Sequence, residues 1–198
     1  GMPAEVPGHL RPPEKSSDRD QASLGFGQGV QVNDIQVANA IAAVVNGGRL
    51  MQPHIVRAVT DPETNQVVRQ IEPVQVGTAC SPETSAAVRR MMGVVVTNGT
   101  GKPAYISDEV KVGGKTGTAQ KWDSRHRRYI PDRNIVSFVM VAPLDDPKFV
   151  VLFTADEPSC GGHGSDVAAP RAREVTMAAL RDAALLSVET EIKVSNDS

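Results

Sequence analysis

Residues 112–122, VGGKTGTAQKW, place a lysine and two threonine hydroxyls among three glycines. In an extended strand, Lys115 and Gly117 would face one side, and Thr116 and Thr118 the other. Lysine offers a strong positive charge, and the threonines supply hydroxyl donors. At a sheet edge, unpaired backbone groups can bind an extended ligand, and Gly117 removes a side chain that would block its approach. The stretch predicts a site for a peptide-like ligand with a carboxylate, although a turn that leads into a strand explains the tetrapeptide equally well.

Three amphipathic segments predict the helices that must support this stretch. The first spans residues 33–48, with Asn33 or Asp34 as its N-cap and two glycines as its stop. The second spans residues 81–101, with Ser81 as N-cap and Pro82 in the first turn. The third spans residues 167–185. The spacing of apolar residues predicts buried stripes on the first two helices, formed by Ile35, Ala38, Ile41, Ala42 and Val45, and by Ala87, Val88, Met91, Met92 and Val95.

The strand signals predict a sheet with the KTGT stretch at its edge. Residues 111–121 should pair with 135–142, which should pair in turn with 149–155, and the short connections favour antiparallel neighbours. The two later strands are almost continuously apolar, which is typical of a sheet covered by helices. A separate hairpin is expected around the DPETN turn at residues 61–65. Residues 1–23 and the arginine-rich segment 123–134 are interpreted as loops.

The composition excludes several classes of function. The 198 residues carry a net charge of −2 and a 40% apolar content, so there is no electrostatic case for binding nucleic acid or an anionic membrane surface. No apolar run approaches the roughly 20 residues that cross a bilayer. The scattered histidines have no metal-ligand spacing, and neither a metal nor a cofactor is expected. Whether the only two cysteines, Cys80 and Cys160, form a disulfide is left open.

Five segments of the chain resemble, in order, the class B penicillin-binding proteins, which are D,D-transpeptidases of peptidoglycan synthesis. The resemblance extends from about Gly1 to Ala183 and is carried by LGFGQGVQVNDIQVANAIAAVVNGGRLMQPHIV, VRRMMGVVVTNGTGKPA, VGGKTGTAQ, SFVMVAPLDDPKFVVLF and GGHGSDVAAPRAREV. It implies an α+β fold, specifically the C-terminal part of the β-lactamase/transpeptidase-like fold, an antiparallel sheet with packed helices. Residues 1–185 would form this part, and residues 186–198 a polar tail.

The chain also departs from the family pattern in a way that bears on catalysis. The family nucleophile lies in an S-x-x-K motif, and no lysine of this sequence has a serine three residues before it. The second family motif, S-x-N, is absent too. Both motifs precede the matching segment in the family, so the chain is expected to be the C-terminal part of a longer transpeptidase domain. Residue 1 is not expected to be the true start of the protein.

The resemblance implies acyl transfer through a serine ester, with β-lactams as mimics of the D-Ala-D-Ala substrate. Lys115 would supply electrostatics and hydrogen bonds, and Thr116 and Thr118 would bind the terminal carboxylate along a backbone left open by Gly117. The N–H of Thr118 would be one oxyanion donor. Expected partners are a stem peptide or β-lactam, the missing part of the domain and the cell-wall synthesis machinery. The parent would lie on the periplasmic side of the inner membrane, with its anchor outside this chain.

Two alternatives remain beside a transpeptidase part. The chain could be a non-catalytic binding or interaction module, or a truncated product; a relation to serine β-lactamases fits less well, because of the FGQG and AAP segments. Gln120, Trp122 and the arginine-rich loop at 125–128 are weaker candidates for lining a cleft. His163 lies close to a serine and an aspartate, but this segment is better explained as a capped helix start.

Overall fold

The computed structural model of this chain describes residues 7–25, 27–123, 125–126, 128–159 and 162–186. Four α-helices and seven β-strands occur within these residues, together with two short 3₁₀ turns at Pro13–Lys15 and Lys102–Ala104. In chain order they are α1 (Asp18–Leu24), α2 (Asp34–Val45), β1 (Arg49–Met51), β2 (Ala58–Thr60), β3 (Val67–Gln70), β4 (Gln75–Thr78), α3 (Pro82–Thr97), β5 (Gly113–Asp123), β6 (Arg128–Ala142), β7 (Phe149–Asp156) and α4 (Ala168–Asp182).

The main sheet has three antiparallel strands in the order β5-β6-β7. Lys115 of β5 lies opposite Val139 of β6, and Val139 lies opposite Leu152 of β7. The predicted pairing of the three strands is therefore confirmed. Within the described part of the chain, β5 forms one edge of this sheet and β7 the other, so the KTGT stretch lies on an edge strand.

Helices cover both faces of the sheet, as the apolar runs predicted. Alternate residues of β6 face opposite sides, so that Phe138 and Met140 pack towards α4, whereas Val139 and Val141 pack towards α2 and α3. Phe138 and Met140 are fully buried. Burying one such side chain contributes about 1.5–3 kcal/mol. The strand β6 is therefore the central element of both apolar clusters, and it holds β5 from one side.

The N-caps of α2 and α3 are as predicted, but the buried faces of these helices differ in part. The side chains of Asn33 and Ser81 accept hydrogen bonds from the third residue of α2 and α3, respectively. Ile35 and Met91 were expected on buried stripes, yet they are 44% and 62% exposed. Each helix contacts the sheet with only part of its apolar face. The angle at which the helix crosses the strands decides which residues make contact. The fully covered residues are Ala43, Val45, Ser85, Met92 and Val96.

Two segments that were interpreted as loops contain regular structure. Residues 18–24 form α1, which begins with a capping box between Ser17 and Asp20. Most of residues 123–134 belongs to a hairpin, because β5 continues to Asp123 and β6 begins at Arg128. The loop interpretation was wrong there because two backbone N–H groups bond to the carboxylate of Asp123 and close a tight turn.

The extended part of this hairpin contains a large bulge. Gln120 pairs with Asn134 and Trp122 with Tyr129, so residues 130–133 of β6 lie opposite Lys121 alone. The bulge holds Pro131, which has no N–H for a ladder, and Asp132 at a positive φ of 57°. Bulges bend a strand and increase its local twist.

A smaller layer of strands lies between α2 and α3 in the chain. The expected hairpin around residues 61–65 is present as β2 and β3, while β1 pairs with β4. Leu186, the first residue of the predicted tail, is buried in the cluster below α4, and residues 187–198 lie outside the described residues.

A glycine between α2 and β1 provides a strong test of this packing. Gly48 has φ +90°, and a Cβ added there would collide with the carbonyl of Cys80 just before α3. We expect Gly48→Ala to lower the free energy of unfolding by about 3 kcal/mol, from backbone strain and the collision together. Urea denaturation measures this loss.

The neighbouring Gly47 provides a matched control for Gly48→Ala. It has almost the same φ, +89°, with no atom within 4 Å of an added Cβ. Gly47→Ala should therefore cost about 1 kcal/mol, from backbone strain alone. Equal losses in the two variants would contradict the packing assigned to Gly48.

Candidate active site on the edge strand

The outer edge of β5 presents backbone groups of Thr116 and Thr118. The carbonyl of Thr116 accepts a hydrogen bond from the Lys115 ammonium at 2.8 Å. The N–H and C=O of Gly117 instead face β6. Gly164 shows this, because a Cβ added there would lie within 3.3 Å of the nitrogen and oxygen of Gly117 and of the oxygen of Ser137, its partner on β6. These three atoms can be so close together only if they lie between the two strands. Backbone groups alternate sides along a strand. The N–H of Thr118 therefore points outward, in the same direction as the carbonyl of Thr116.

The Lys115 side chain reaches across the edge to the threonine side of the strand. Strict alternation places Lys115 and Thr116 on opposite faces, but the flexible lysine stem lets Nζ come within 3.5 Å of Thr116 Oγ1. Thr116 Oγ1 also lies 3.3 Å from Thr100 Oγ1. Lys115 and Thr118 are exposed, and Thr116 is half-buried. The Lys115 ammonium and the hydroxyls of Thr116 and Thr118 thus lie along one accessible edge, and such groups suit an anionic ligand.

The structure gives a packing reason for a glycine at position 117, beside the one that the sequence suggested. We expected the missing side chain to open the way for a ligand. In the structure, a Cβ at Gly117 would collide with the hydroxyl of Ser137, the residue directly opposite on β6. Gly164, in the loop before α4, packs over the same pair of residues. The protein itself therefore fills the space beside Gly117, and a role of Gly117 in substrate binding stays a prediction.

Farther along β5, a charged cluster joins the strand to the end of β7. Lys121 Nζ lies 3.1 Å from an oxygen of Asp156 and 2.7 Å from one of Glu157, and these hydrogen bonds raise the pKa of Lys121. Arg133 bonds to the same glutamate at 2.9 Å. These contacts hold the start of the hairpin extension against the sheet.

The weaker cleft candidates lie on this extension. Gln120 and Trp122 follow Thr116 and Thr118 on one face of β5, and both are exposed. The Trp122 ring packs edge-on against Tyr129, with ring centroids 5.0 Å apart and an interplanar angle of 74°. A cleft-lining role for Gln120, Trp122 and the turn at 125–128 stays a prediction.

The hairpin tip carries a titratable contact that can be tested directly. A hydrogen bond from the His126 side chain, together with two backbone N–H donors and the nearby Arg128, lowers the pKa of Asp123 below its ordinary value of 3.8. A depressed carboxyl pKa stabilises the fold above 3.8, and this contribution is lost as the pH falls through the lowered pKa. We expect NMR titration of the Asp123 carboxyl carbon to give a midpoint below 3.8 and His126→Ala to raise it. An unchanged midpoint in that variant would contradict the contact.

The loop at 162–167 does not form the capped helix start that we expected. Asp166 accepts hydrogen bonds from the backbone N–H of His163 at 3.3 Å and from the hydroxyl of Ser165 at 3.0 Å. The N-cap of α4 is Val167, which makes no side-chain cap. The aspartate therefore stabilises the turn before the helix, and this turn places Gly164 against β5.

The remaining side-chain predictions concern metals and thiols. Among the described residues, no group of three or more histidine, cysteine, aspartate or glutamate side chains could hold a metal ion. The sulfur of Cys80 lies 3.9 Å from the carbonyl oxygen of Val44. Cys160 lies outside the described residues, so a pairing of the two cysteines remains untested. No described helix has the length and apolar character needed to cross a bilayer.

Sequence reasoning missed three residues that the structure brings to the edge strand. Thr100 contacts Thr116, while Ser137 and Gly164 pack against Gly117. Thr100 and Gly164 lie in the NGTG and GGHG segments, and no residue spacing within those segments indicates what they touch. Only the pairing of β5 with β6 places Ser137 opposite Gly117.

Comparison with known proteins identifies the family of this chain. The model of the penicillin binding protein transpeptidase domain matches residues 1–177. Stage V sporulation protein D of Bacillus subtilis is 41% identical over 170 residues, which cover 85% of this chain and 26% of that protein. Penicillin-binding protein PbpB of Mycolicibacterium smegmatis is 32% identical over 184 residues, 88% of this chain and 28% of its own length. The chain thus spans about a quarter of each of these relatives.

Solved structures give the same result for the fold. The transpeptidase domain of Burkholderia pseudomallei penicillin-binding protein 3 superposes with a TM-score of 0.75 at 33% identity, over 92% of this chain and 52% of that domain. Penicillin-binding protein 3 of Mycobacterium tuberculosis gives a TM-score of 0.80 at 27% identity, over 92% of this chain and 42% of that one. The predicted α+β, β-lactamase-like fold is confirmed. The chain belongs to the penicillin-binding protein transpeptidase domain family, among the class B proteins.

Proposed function

We propose that this chain is the C-terminal part of a peptidoglycan D,D-transpeptidase and that β5 binds the carboxylate of a stem peptide or a β-lactam. The observation that carries the proposal is the edge of β5, where the Lys115 ammonium lies next to the hydroxyl of Thr116, with Thr118 exposed two residues later. Charge-assisted hydrogen bonds from such groups suit a carboxylate. The outward backbone groups of Thr116 and Thr118, on either side of Gly117, would let an extended ligand pair along the strand.

The second element of the proposal is an oxyanion donor. The outward N–H of Thr118 can donate to the oxygen that becomes negative when a nucleophile attacks the substrate carbonyl. In the proposed reaction, a serine hydroxyl adds to the penultimate D-Ala carbonyl and loses its proton to a base, and the terminal D-Ala leaves as the amine. An amine of a second stem peptide then displaces the serine and forms the cross-link.

The nucleophile has to come from residues outside this sequence, since none of its 198 residues forms an S-x-x-K motif. We infer that the parent protein supplies that motif, completes the domain and holds it on the periplasmic side of the membrane, beside the cell-wall synthesis machinery. The chain by itself would then be inactive. The same absence favours one alternative, a binding module without chemistry.

The names of related proteins support the proposal. Several curated relatives are called peptidoglycan D,D-transpeptidases, among them an FtsI homolog of Mesostigma viride at 29% identity. Mycobacterium tuberculosis penicillin-binding protein 3 has been solved in complex with ampicillin, and that structure superposes with a TM-score of 0.79 at 26% identity. Both β-lactam binding and peptide cross-linking use one serine ester, so the two activities should occur together in the parent.

Labelling of the full-length protein tests the proposal. We expect a fluorescent penicillin to form a covalent adduct, and peptide mapping to place the adduct on the serine of an S-x-x-K motif upstream of this segment. Boiling the protein first should abolish the label. A full-length protein that contains no such motif, or that stays unlabelled although folded, would support the binding module instead.

A further inference from the structure

The Thr100 side chain reaches the proposed carboxylate site from the turn after α3. Its hydroxyl oxygen lies 3.3 Å from that of Thr116, although the two residues are 16 positions apart. Thr100 is itself exposed, in the Asn98–Gly101 turn. The turn therefore supplies a second hydroxyl that touches the first and that the proposed function does not yet use.

The backbone of this turn is held from two sides. The N–H groups of Gly99 and Gly101 donate to the carbonyl of Val95 at 3.1 and 2.9 Å. A Cβ on Gly101 would lie 3.0 Å from the Val95 side chain and 3.3 Å from the buried ring of Phe138. The turn is thus fixed between α3 and the core residue Phe138. The position of the Thr100 hydroxyl follows from this packing.

The contact matters because a hydroxyl has a single proton to donate and two lone pairs to accept with. An ionised carboxylate only accepts hydrogen bonds, so Thr116 can bind it only by donating its proton. If Thr116 donated to Thr100, that proton would be used within the protein. If Thr100 donates instead, and Lys115 Nζ approaches the same oxygen from 3.5 Å, the Thr116 proton is free to point at the ligand.

We propose that Thr100 is a positioning residue that donates a hydrogen bond to Thr116 and thereby turns the Thr116 proton towards the ligand carboxylate. This inference rests on the proposed function of β5. It assigns to Thr100 no contact with the reacting atoms. Its effect should therefore appear only with ligands that carry a carboxylate.

The test compares Thr100→Val and Thr100→Ser in the full-length protein. We expect Thr100→Val to lower the second-order rate constant of acylation by penicillin G about fivefold to tenfold, the value of one hydrogen bond. The rate constant for penicillin G methyl ester, which has no free carboxylate, should change less than about twofold. Thr100→Ser keeps the hydroxyl and should retain the wild-type rate with both compounds. The variants are compared by the ratio of the rate constant for penicillin G to that for its methyl ester. A loss of folded protein lowers both rate constants equally and leaves this ratio unchanged.

A matched control and a double-mutant cycle complete the experiment. Thr97→Val removes a hydroxyl that bonds within the end of α3, and it should leave the penicillin-to-ester ratio unchanged. In a Thr116→Val background, Thr100→Val should have no further effect, because its partner is already gone. Equal losses with penicillin and ester, additive losses in the cycle, or no loss at all would overturn the positioning role. Failure of the wild-type protein to be acylated would instead overturn the proposed function.

Discussion

Replacing Lys115 by alanine in the full-length protein is expected to lower the rate of β-lactam acylation by about 10- to 10²-fold, the value of one hydrogen bond to a charged group. The ammonium lies at the open edge of β5, 2.8 Å from the Thr116 carbonyl, and it is exposed. Its removal takes away positive charge where the ligand carboxylate should bind but leaves the core untouched. We therefore expect a change of Tm of less than about 2 °C. Stopped-flow acylation and thermal unfolding measure the two quantities.

Lys111→Ala is the matched control for this prediction. Lys111 is also exposed and lies just before β5, where its backbone carbonyl accepts a hydrogen bond from Leu144. The same substitution at that position should leave acylation within about twofold of wild type. Thr118→Val should slow acylation more than it destabilises the fold. If acylation and Tm fall in step in these site variants, Lys115 and Thr118 are structural residues and the assignment is wrong.

The second large effect concerns this 198-residue chain alone, which should form no covalent adduct with a fluorescent penicillin. Acylation needs a serine with a base within hydrogen-bond reach, and the family supplies both from S-x-x-K. No serine of this sequence precedes a lysine by three residues. The oxyanion site would also lack the donor that belongs to the nucleophile itself. A denaturing gel and an intact mass spectrum check the prediction.

The full-length protein, labelled in parallel, is the positive control for this experiment. Hydroxylamine cleaves ester adducts, so it distinguishes acylation from trapped dye. Suppose that the purified chain takes up a label that hydroxylamine removes, and that boiling the chain before labelling prevents it. This result would show that the nucleophile lies within these residues. A label that survives boiling would indicate non-specific modification and leave the prediction standing.

The same chain is expected to self-associate. Among the described residues, β7 pairs with β6 on one side only, and its residues 149–155 are half-buried and mostly apolar. An open apolar edge of this kind is a template for strand addition. Size-exclusion chromatography with light scattering should show oligomers. A monodisperse monomer at micromolar concentration would contradict the expectation.

The sequence by itself determined the local elements of this protein and the family to which it belongs. Asn33 or Asp34 was predicted as the N-cap of α2 and Ser81 as that of α3, and the structure selects Asn33. Such caps are within reach of sequence reasoning, because a capping side chain and its target N–H are only three residues apart. The three-strand order followed from short connections, and Lys115 with Thr116 and Thr118 was recognised as one motif because the residues are adjacent.

Errors arose where contacts between distant segments decide the outcome. The arginine-rich segment looked like a loop because its residues are polar, whereas the Trp122–Tyr129 contact and the turn at Asp123 extend both strands through it. Met91 looked buried because the stripe of α3 is wider than the surface that the sheet covers. The spacing of apolar residues shows on which side of its helix a residue lies. It does not show how much of that side the neighbouring elements cover.

Only the tertiary structure decided how the edge strand is built. The pairing of β5 with β6 places Ser137 against Gly117, and the turn before α4 brings Gly164 over the same pair. The end of α3 brings Thr100 to Thr116. These neighbours are 16 to 47 residues away from the threonines and glycine that they touch, and no short-range spacing encodes such contacts. The sequence therefore indicated which residues are candidates for binding a carboxylate, while packing decided which of their backbone groups face outward and which hydroxyl lies beside Thr116.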